Sequence, residues 1–191
     1  MKKRRELRPA VFLDRDGTLI HDRPGFYLRR PEQVRLYPYA FEALKRLRRA
    51  GFRLVIVSNQ SGIGRGFFDH ATLGRIHRRL KTELRRRGAS LDGIFFCPHA
   101  PGDGCRCRKP SPLLAQRAAR ELRLDLRSSY LIGDKKVDVD MARALGILSV
   151  QLKTGHGRDE RERYGSKLGA TRQAANLLSA ANWIIRRRKS G

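Results

Sequence analysis

The chain has 191 residues, 40% of them hydrophobic, enough for one domain with a buried core that needs no disulfide staples. No run of about 18 apolar residues occurs, which excludes a membrane-spanning helix, and the basic start MKKRRELRPAVFLD is too poor in apolar residues for a secretory signal. A soluble, cytoplasmic monomer is therefore expected, with a formal charge of +25 from 43 Lys and Arg against 18 Asp and Glu.

That charge raises nucleic-acid binding as one reading. The basic residues are spread over every helix-like segment, so a basic surface composition ranks ahead of a binding face. Either way the field attracts anionic ligands such as phosphates.

In chain order, AVFLD (10–14) is a short apolar run ending at an acid. YAFEALKRLRRAG (39–51) spaces Phe41, Leu44 and Leu47 as one helix face and stops at Gly51. RLVIVSN (53–59) is β-branched and reads as a buried strand. Residues 69–88 form a helix capped by Asp69, with Leu73, Ile76, Leu80 and Leu84 on one face. GIFFC (93–97) is a strand, and 111–124 a helix with Ser111 as N-cap and Pro112 in its first turn. YLIGD (130–134) is a strand ending at an acid, VDVDMARALG (137–146) a helix, and ILSVQL (147–152) the last clear strand. Beyond it, 157–167 reads as exposed, 170–185 as a helix and RRRKSG (186–191) as a frayed tail.

Strands alternating with helices predict an α/β fold: a Rossmann-like, doubly wound, mostly parallel sheet with helices on both faces. One domain spans 1–191, its core 10–152, with a C-terminal helix and basic tail in 153–191. Ligands of such sheets bind beyond the carboxyl ends of the strands. Asp14, Asp16, Ser58 and Asp134 fall there.

Acids gathered at that edge would hold a hard cation such as Mg2+ through oxygen ligands. A carboxylate beside such a cation can act as a nucleophile toward phosphorus, with a second acid handling the proton of the leaving group. Ser58 offers a hydroxyl and an amide, and Lys109 an ammonium, to a phosphoryl group.

All three cysteines lie in CPHAPGDGCRCRKP (97–110). Cys97, His99, Cys105 and Cys107 supply three thiolates and an imidazole, the ligand count of a closed tetrahedral zinc site. A disulfide would leave one cysteine over, and no helix starts there to activate a thiol, so structural zinc is preferred. Metal binding would fold a loop with little core of its own and fix Arg108 and Lys109 directly after the last ligand.

FLDRDGTL, Ser58 after a strand, Lys109 after a loop and GDKKVD, in this order, resemble the four motifs of the haloacid dehalogenase superfamily of phosphatases. The resemblance implies Asp14 as nucleophile and Asp16 as general acid, then base. Ser58 and Lys109 would hold the transferring phosphoryl group. Mg2+ would sit on Asp14, Asp134 and the main-chain carbonyl of Asp16, with Asp138 as an orienting residue.

The cysteine loop, with SNQSGIGRG and DRDGTL, is similar to the heptose 1,7-bisphosphate 7-phosphatase group and to the related histidinol-phosphate phosphatases. That group has no large cap domain. By this resemblance the substrate, a small phosphorylated sugar, meets Asp14, Arg15, Asp16, Asp22, Gly25, Tyr27, Ser58, Asn59, Gln60, Ser61, Arg108, Lys109 and Lys135. Where the family runs quickly to a Gly-Tyr pair, this chain reads RPGFYL, with extra residues around Arg23 and Pro24. The rival substrates are histidinol phosphate and a polynucleotide 3′-phosphate. A zinc-containing nucleic-acid-binding protein is the reading of a different class.

Overall fold

The computed structural model describes residues 7–22 and 25–189, so the basic stretch 1–6, Arg23, Pro24 and the last two residues lie outside the description. Six parallel strands form one sheet: β1 (Arg8–Leu13), β2 (Arg53–Asn59), β3 (Gly93–Cys97), β4 (Leu124–Gly133), β5 (Leu148–Leu152) and β6 (Arg172–Ala174). Their order is β3-β2-β1-β4-β5-β6, so the chain reverses its direction of travel across the sheet at β1. An open α/β sheet binds ligands at such a reversal.

Six helices cover the sheet: α1 (Ala40–Arg49), α2 (His70–Arg86), α3 (Leu113–Leu122), α4 (Lys136–Leu145), α5 (Gly157–Tyr164) and α6 (Leu177–Lys189). Alternation along β1 divides the core. Val11 and Leu13 pack with α1, α2 and α6, whereas Ala10 and Phe12 pack with α3 and α4. Asp69 caps α2 as expected, its carboxylate accepting from the Thr72 amide at 2.7 Å.

The structure departs from the expected elements in three places. The helix expected over 111–124 is shorter, because Pro112 itself is the N-cap and Arg123 adopts a left-handed φ of 56° that turns Leu124 into β4. The sheet continues past 152: β6 pairs with β5, Val150 opposite Arg172. The segment 170–185 is therefore strand, turn and helix, with Asn176 Oδ1 accepting from the Ser179 amide at 3.0 Å to start α6. Arg186 to Lys189 are helical rather than frayed, and Leu177, Ala180, Ala181 and Ile184 belong to the core. Among the described residues no helix is long and apolar enough to cross a membrane.

Candidate active site

Leu13 stands opposite Ile56 of β2 and Ile132 of β4 in register, so the three strands run out toward one edge of the sheet, β1 ending at Leu13, β4 at Gly133 and β2 at Asn59. Asp14, Ser58 and Asp134 are buried there. The Asp14 amide still donates to the Ile132 carbonyl at 2.9 Å, which fixes the carboxylate at the end of β1.

Lys109 enters this edge from the loop after β3. Its Nζ donates to Asp14 Oδ1 and Asp138 Oδ1 at 2.6 Å each and to the Val57 carbonyl at 2.9 Å. Burial favours the neutral amine, yet the two carboxylates outweigh it and hold the ammonium's pKa above the ordinary lysine range. The Asp14 pKa is raised as well: burial pushes it up and, although Lys109 pulls it down, Asp138 adds to the rise.

Asn59 positions the lysine through its backbone. Its Oδ1 accepts from the Lys109 amide at 2.9 Å, and its Nδ2 donates to the Lys109 carbonyl at 3.2 Å. The Gln60 amide donates to the Cys97 carbonyl at 2.7 Å, joining the end of β2 to the cysteine loop.

Oxygen atoms of Asp14, Asp134 and Asp138 lie within 4.8 Å of one another, a grouping that could hold a metal ion. Asp138 has both oxygens engaged, by Lys109 and by the Lys135 amide at 3.1 Å. Asp134 differs. Its Oδ2 accepts from the His156 amide at 2.8 Å, while its buried Oδ1 has no hydrogen-bond partner. An orphaned carboxylate oxygen is costly unless a cation or water meets it, and burial together with the Asp14 charge drives its pKa well up.

Glycines leave this carboxylate its room. A Cβ on Gly17 would lie 2.3 Å from Asp134 Oδ2, and one on Gly155 2.4 Å from the same atom, at positive φ in both cases.

The Asp16 carboxylate is turned away from that group, into a two-point fork with Arg15: 2.7 Å to Nη2 and 3.0 Å to Nε. Gln60 Nε2 donates to Asp16 Oδ2 at 3.0 Å and to Ser58 Oγ at 2.7 Å, tying the two together. Burial pushes the Asp16 pKa up, but Arg15 and Gln60 more than reverse this and leave it below the ordinary carboxylate value.

Arg15, expected to meet substrate, is 1% exposed, with Nη1 donating to His77 Nε2 at 3.3 Å. Burial and the neighbouring guanidinium lower the His77 pKa to about 3, so its ring is the neutral acceptor this contact needs.

These groups open onto a pocket of about 310 Å3. Every residue expected to meet substrate lines it, with Asp22, Gly25 and Tyr27 along the wall from the β1–α1 loop, Ser61 after β2, and Arg108 and Lys135 among its cations. His156 also lines it and was missed in the sequence. Its ring lies 3.2 Å from Asp22, which Lys135 approaches at 3.5 Å. The only hint was its place in TGHG directly after a strand, a sequence that reads as an ordinary turn. His77 gave no hint, sitting in the middle of a helix.

Below the pocket, the cysteine loop gathers its four donors. Sγ of Cys97 lies 3.5 Å from Sγ of Cys105 and 3.6 Å from Nδ1 of His99, which is 3.3 Å from Sγ of Cys107. The Cys105 and Cys107 sulfurs are 3.9 Å apart. A tetrahedron of thiolates at the usual ~2.3 Å from a metal has edges of about 3.8 Å, so the donor set fits one.

Comparison with known proteins places these features in company. A HAD-hydrolase-like family model matches residues 106–180. The chain is 36% identical over 175 residues to the D-glycero-beta-D-manno-heptose-1,7-bisphosphate 7-phosphatase of Bordetella bronchiseptica, covering 92% of this chain and 97% of that one. It is 39% identical over 155 residues to the enzyme of the same name from Yersinia pestis, covering 77% and 81%. Among solved structures, the B. bronchiseptica phosphatase complexed with magnesium and phosphate superposes with a TM-score of 0.86 at 35% identity, covering 94% of this chain and 99% of that one. The D,D-heptose 1,7-bisphosphate phosphatase of Burkholderia thailandensis gives 0.71 at 28% identity, covering 93% and 99%.

Proposed function

The chain belongs to the haloacid-dehalogenase-like family of D-glycero-D-manno-heptose-1,7-bisphosphate 7-phosphatases, which makes it a phosphoric monoester hydrolase, and we propose that it removes the 7-phosphate of that sugar through an aspartyl-phosphate on Asp14. The observation that carries the reading is Asp14 itself: a buried carboxylate at the end of a central strand, with one oxygen fixed by Lys109 and a pocket in front of it. Fixing one oxygen leaves the other as the attacking atom.

In this mechanism the free oxygen of Asp14 forms a bond to phosphorus while the bond from phosphorus to the sugar oxygen breaks. Asp16, which has to leave its fork with Arg15 and take up a proton from solvent before this step, gives that proton to the leaving oxygen. Asp16 then takes a proton from water, whose oxygen attacks phosphorus, releasing inorganic phosphate and restoring Asp14. Gln60 keeps Asp16 and Ser58 together, so the acid and a phosphoryl hydrogen-bond donor move as one unit. Lys109 stays in place, its charge opposing that gathered on the phosphoryl oxygens.

Asp14, Asp134 and the Asp16 carbonyl would hold Mg2+, and the orphaned Asp134 Oδ1 favours such an ion. When bound, the ion offsets repulsion between the carboxylates and the phosphate. Cys97, His99, Cys105 and Cys107 would hold structural zinc.

Arg108 and Lys135 add cations to the pocket, which suits a second phosphate better than the cationic histidinol phosphate. The test is phosphate release with Mg2+ from heptose 1,7-bisphosphate, histidinol phosphate and a 3′-phosphorylated oligonucleotide, with Asp14→Asn as control. Preference for the bisphosphate, lost in the variant, is expected. Turnover retained by Asp14→Asn overturns the mechanism, and preference for either rival overturns the substrate.

A further inference from the structure

Each helix that follows a strand runs back to the amino edge of the sheet, so helix carboxyl ends collect on the side opposite Asp14. Three of them end together. α1 closes with Arg46, Arg48 and Arg49, α2 with Arg85 and Arg86, and α6 with Arg186 to Lys189. Side chains knit these ends into one surface. Arg188 of α6 donates to the Ala50 carbonyl just past α1 and lies 4.8 Å over the Phe52 ring, and Arg48 near the end of α1 donates to the Ser90 carbonyl, a few residues past α2, at 3.1 Å.

A cation or two per helix end is what the helix dipole favours. Here the last turn of α1 carries three and that of α6 four, and the acids nearby are outnumbered. Glu42 is shared by Lys45 and Arg46, Glu83 by Arg79 and Arg86, and Asp92 by Arg48 and Arg53. Arg49, Arg85 and Lys189 are exposed, with no carboxylate within ion-pair reach among the described residues. Crowded like charges repel, and a polyanion laid across them relieves that cost.

An anionic lipid surface would also supply negative charge, but lipid docking uses apolar anchors. The exposed large apolar side chains among the described residues are Leu7, Phe67 and Leu113, none of them on α1, α2 or α6. The face is charged without being greasy, which matches a sugar–phosphate backbone.

We propose that this arginine face binds nucleic acid through its phosphates, without reading bases, at a site independent of the catalytic pocket. None of its residues lines that pocket. In the sequence a basic surface composition ranks ahead of a binding face, because the charge is spread evenly along the chain; the proposal rests instead on the fold, which brings three helix ends together.

The experiment is fluorescence anisotropy of a labelled duplex of about 20 base pairs, titrated with the full chain at stepped NaCl. Two variants with equal charge loss are compared, Arg49, Arg85, Arg187 and Lys189 to Gln on this face, and Arg117, Arg161, Arg163 and Lys167 to Gln elsewhere. The wild type should bind with an affinity that falls steeply as salt rises. The first variant should bind at least about tenfold more weakly, with the salt slope shallower by about one unit for each phosphate it no longer neutralises. The second should stay close to wild type. Thermal unfolding of both should match the parent. Equal losses in the two variants would reduce the effect to net charge and overturn the site. So would no binding by the wild type at low salt, or tighter binding to vesicles containing anionic lipid than to the duplex.

Discussion

Lys109 places an ammonium 2.6 Å from each of two buried carboxylates and 2.9 Å from the Val57 carbonyl, and at that depth all three bonds have to be made for the charge to be tolerated. Truncation would leave Asp14 and Asp138 facing one another without a counter-charge. Lys109→Ala should therefore abolish measurable turnover and destabilise the fold by about 3–5 kcal/mol, the usual cost of breaking a buried pair. Chemical denaturation and phosphate release on one preparation would check both, and an unchanged unfolding midpoint would refute the burial argument. Asp14, Ser58 and Asp134 were legible because each follows an apolar strand. The burial of Arg15 against His77 was not, since arginine is rarely buried and His77 lies 62 positions away in the chain.

At the scale of elements, β2 and β3 could be bounded in the sequence because β-branched and aromatic runs stop at polar residues. β6 could not: Arg172–Ala174 is three residues long and shows no alternation, and only its pairing with β5 makes it a strand. The joint between α1, β2 and β3 depends on Asp92, which accepts from the Leu54 amide at 2.8 Å and from Arg48 and Arg53. Burial raises its pKa, but these donors prevail and leave it below the ordinary 3.8. Its contribution is thus present above that value and lost as pH falls through the lower, folded one. Asp92→Asn should be less stable than wild type at pH 7, with the difference shrinking below about pH 4. A difference that stays constant down to pH 2.5 would contradict this. The cysteine loop makes its own prediction. Cys107→Ser should lower bound zinc by elemental analysis and reduce kcat/KM at least about tenfold, because Arg108 and Lys109 lose their anchor, while far-UV circular dichroism is kept. Full activity in a zinc-free protein would show that Asn59 alone positions the lysine.

Across the whole molecule, three buried acids meet at the carboxyl edge of the sheet and the basic ends of α1, α2 and α6 lie at the amino edge, within a net charge of +25. An anionic substrate still feels the total field, screened over about 8–10 Å at physiological salt. Raising NaCl from about 20 to 300 mM should lower kcat/KM for the bisphosphate severalfold and kcat much less, since attraction acts on encounter rather than chemistry. Steady-state kinetics at constant pH would show it, and a salt-independent kcat/KM would mean that encounter does not limit the rate. Composition foretold the charge but not its arrangement, which arises only when the strand order fixes where each helix ends.

Asn59 grips residue 109 by its amide and carbonyl alone, so the grip is indifferent to the side chain carried there. In Lys109→Ala the backbone should stay where it is, leaving a narrow hole the size of the three lost methylenes and the ammonium, its far end walled by two carboxylates and a carbonyl. Such a hole invites chemical complementation: added methylammonium should return a share of the missing turnover in proportion to its concentration, whereas the broad, planar guanidinium should not. The catalytic cation would then be a replaceable part, separable from the chain that delivers it.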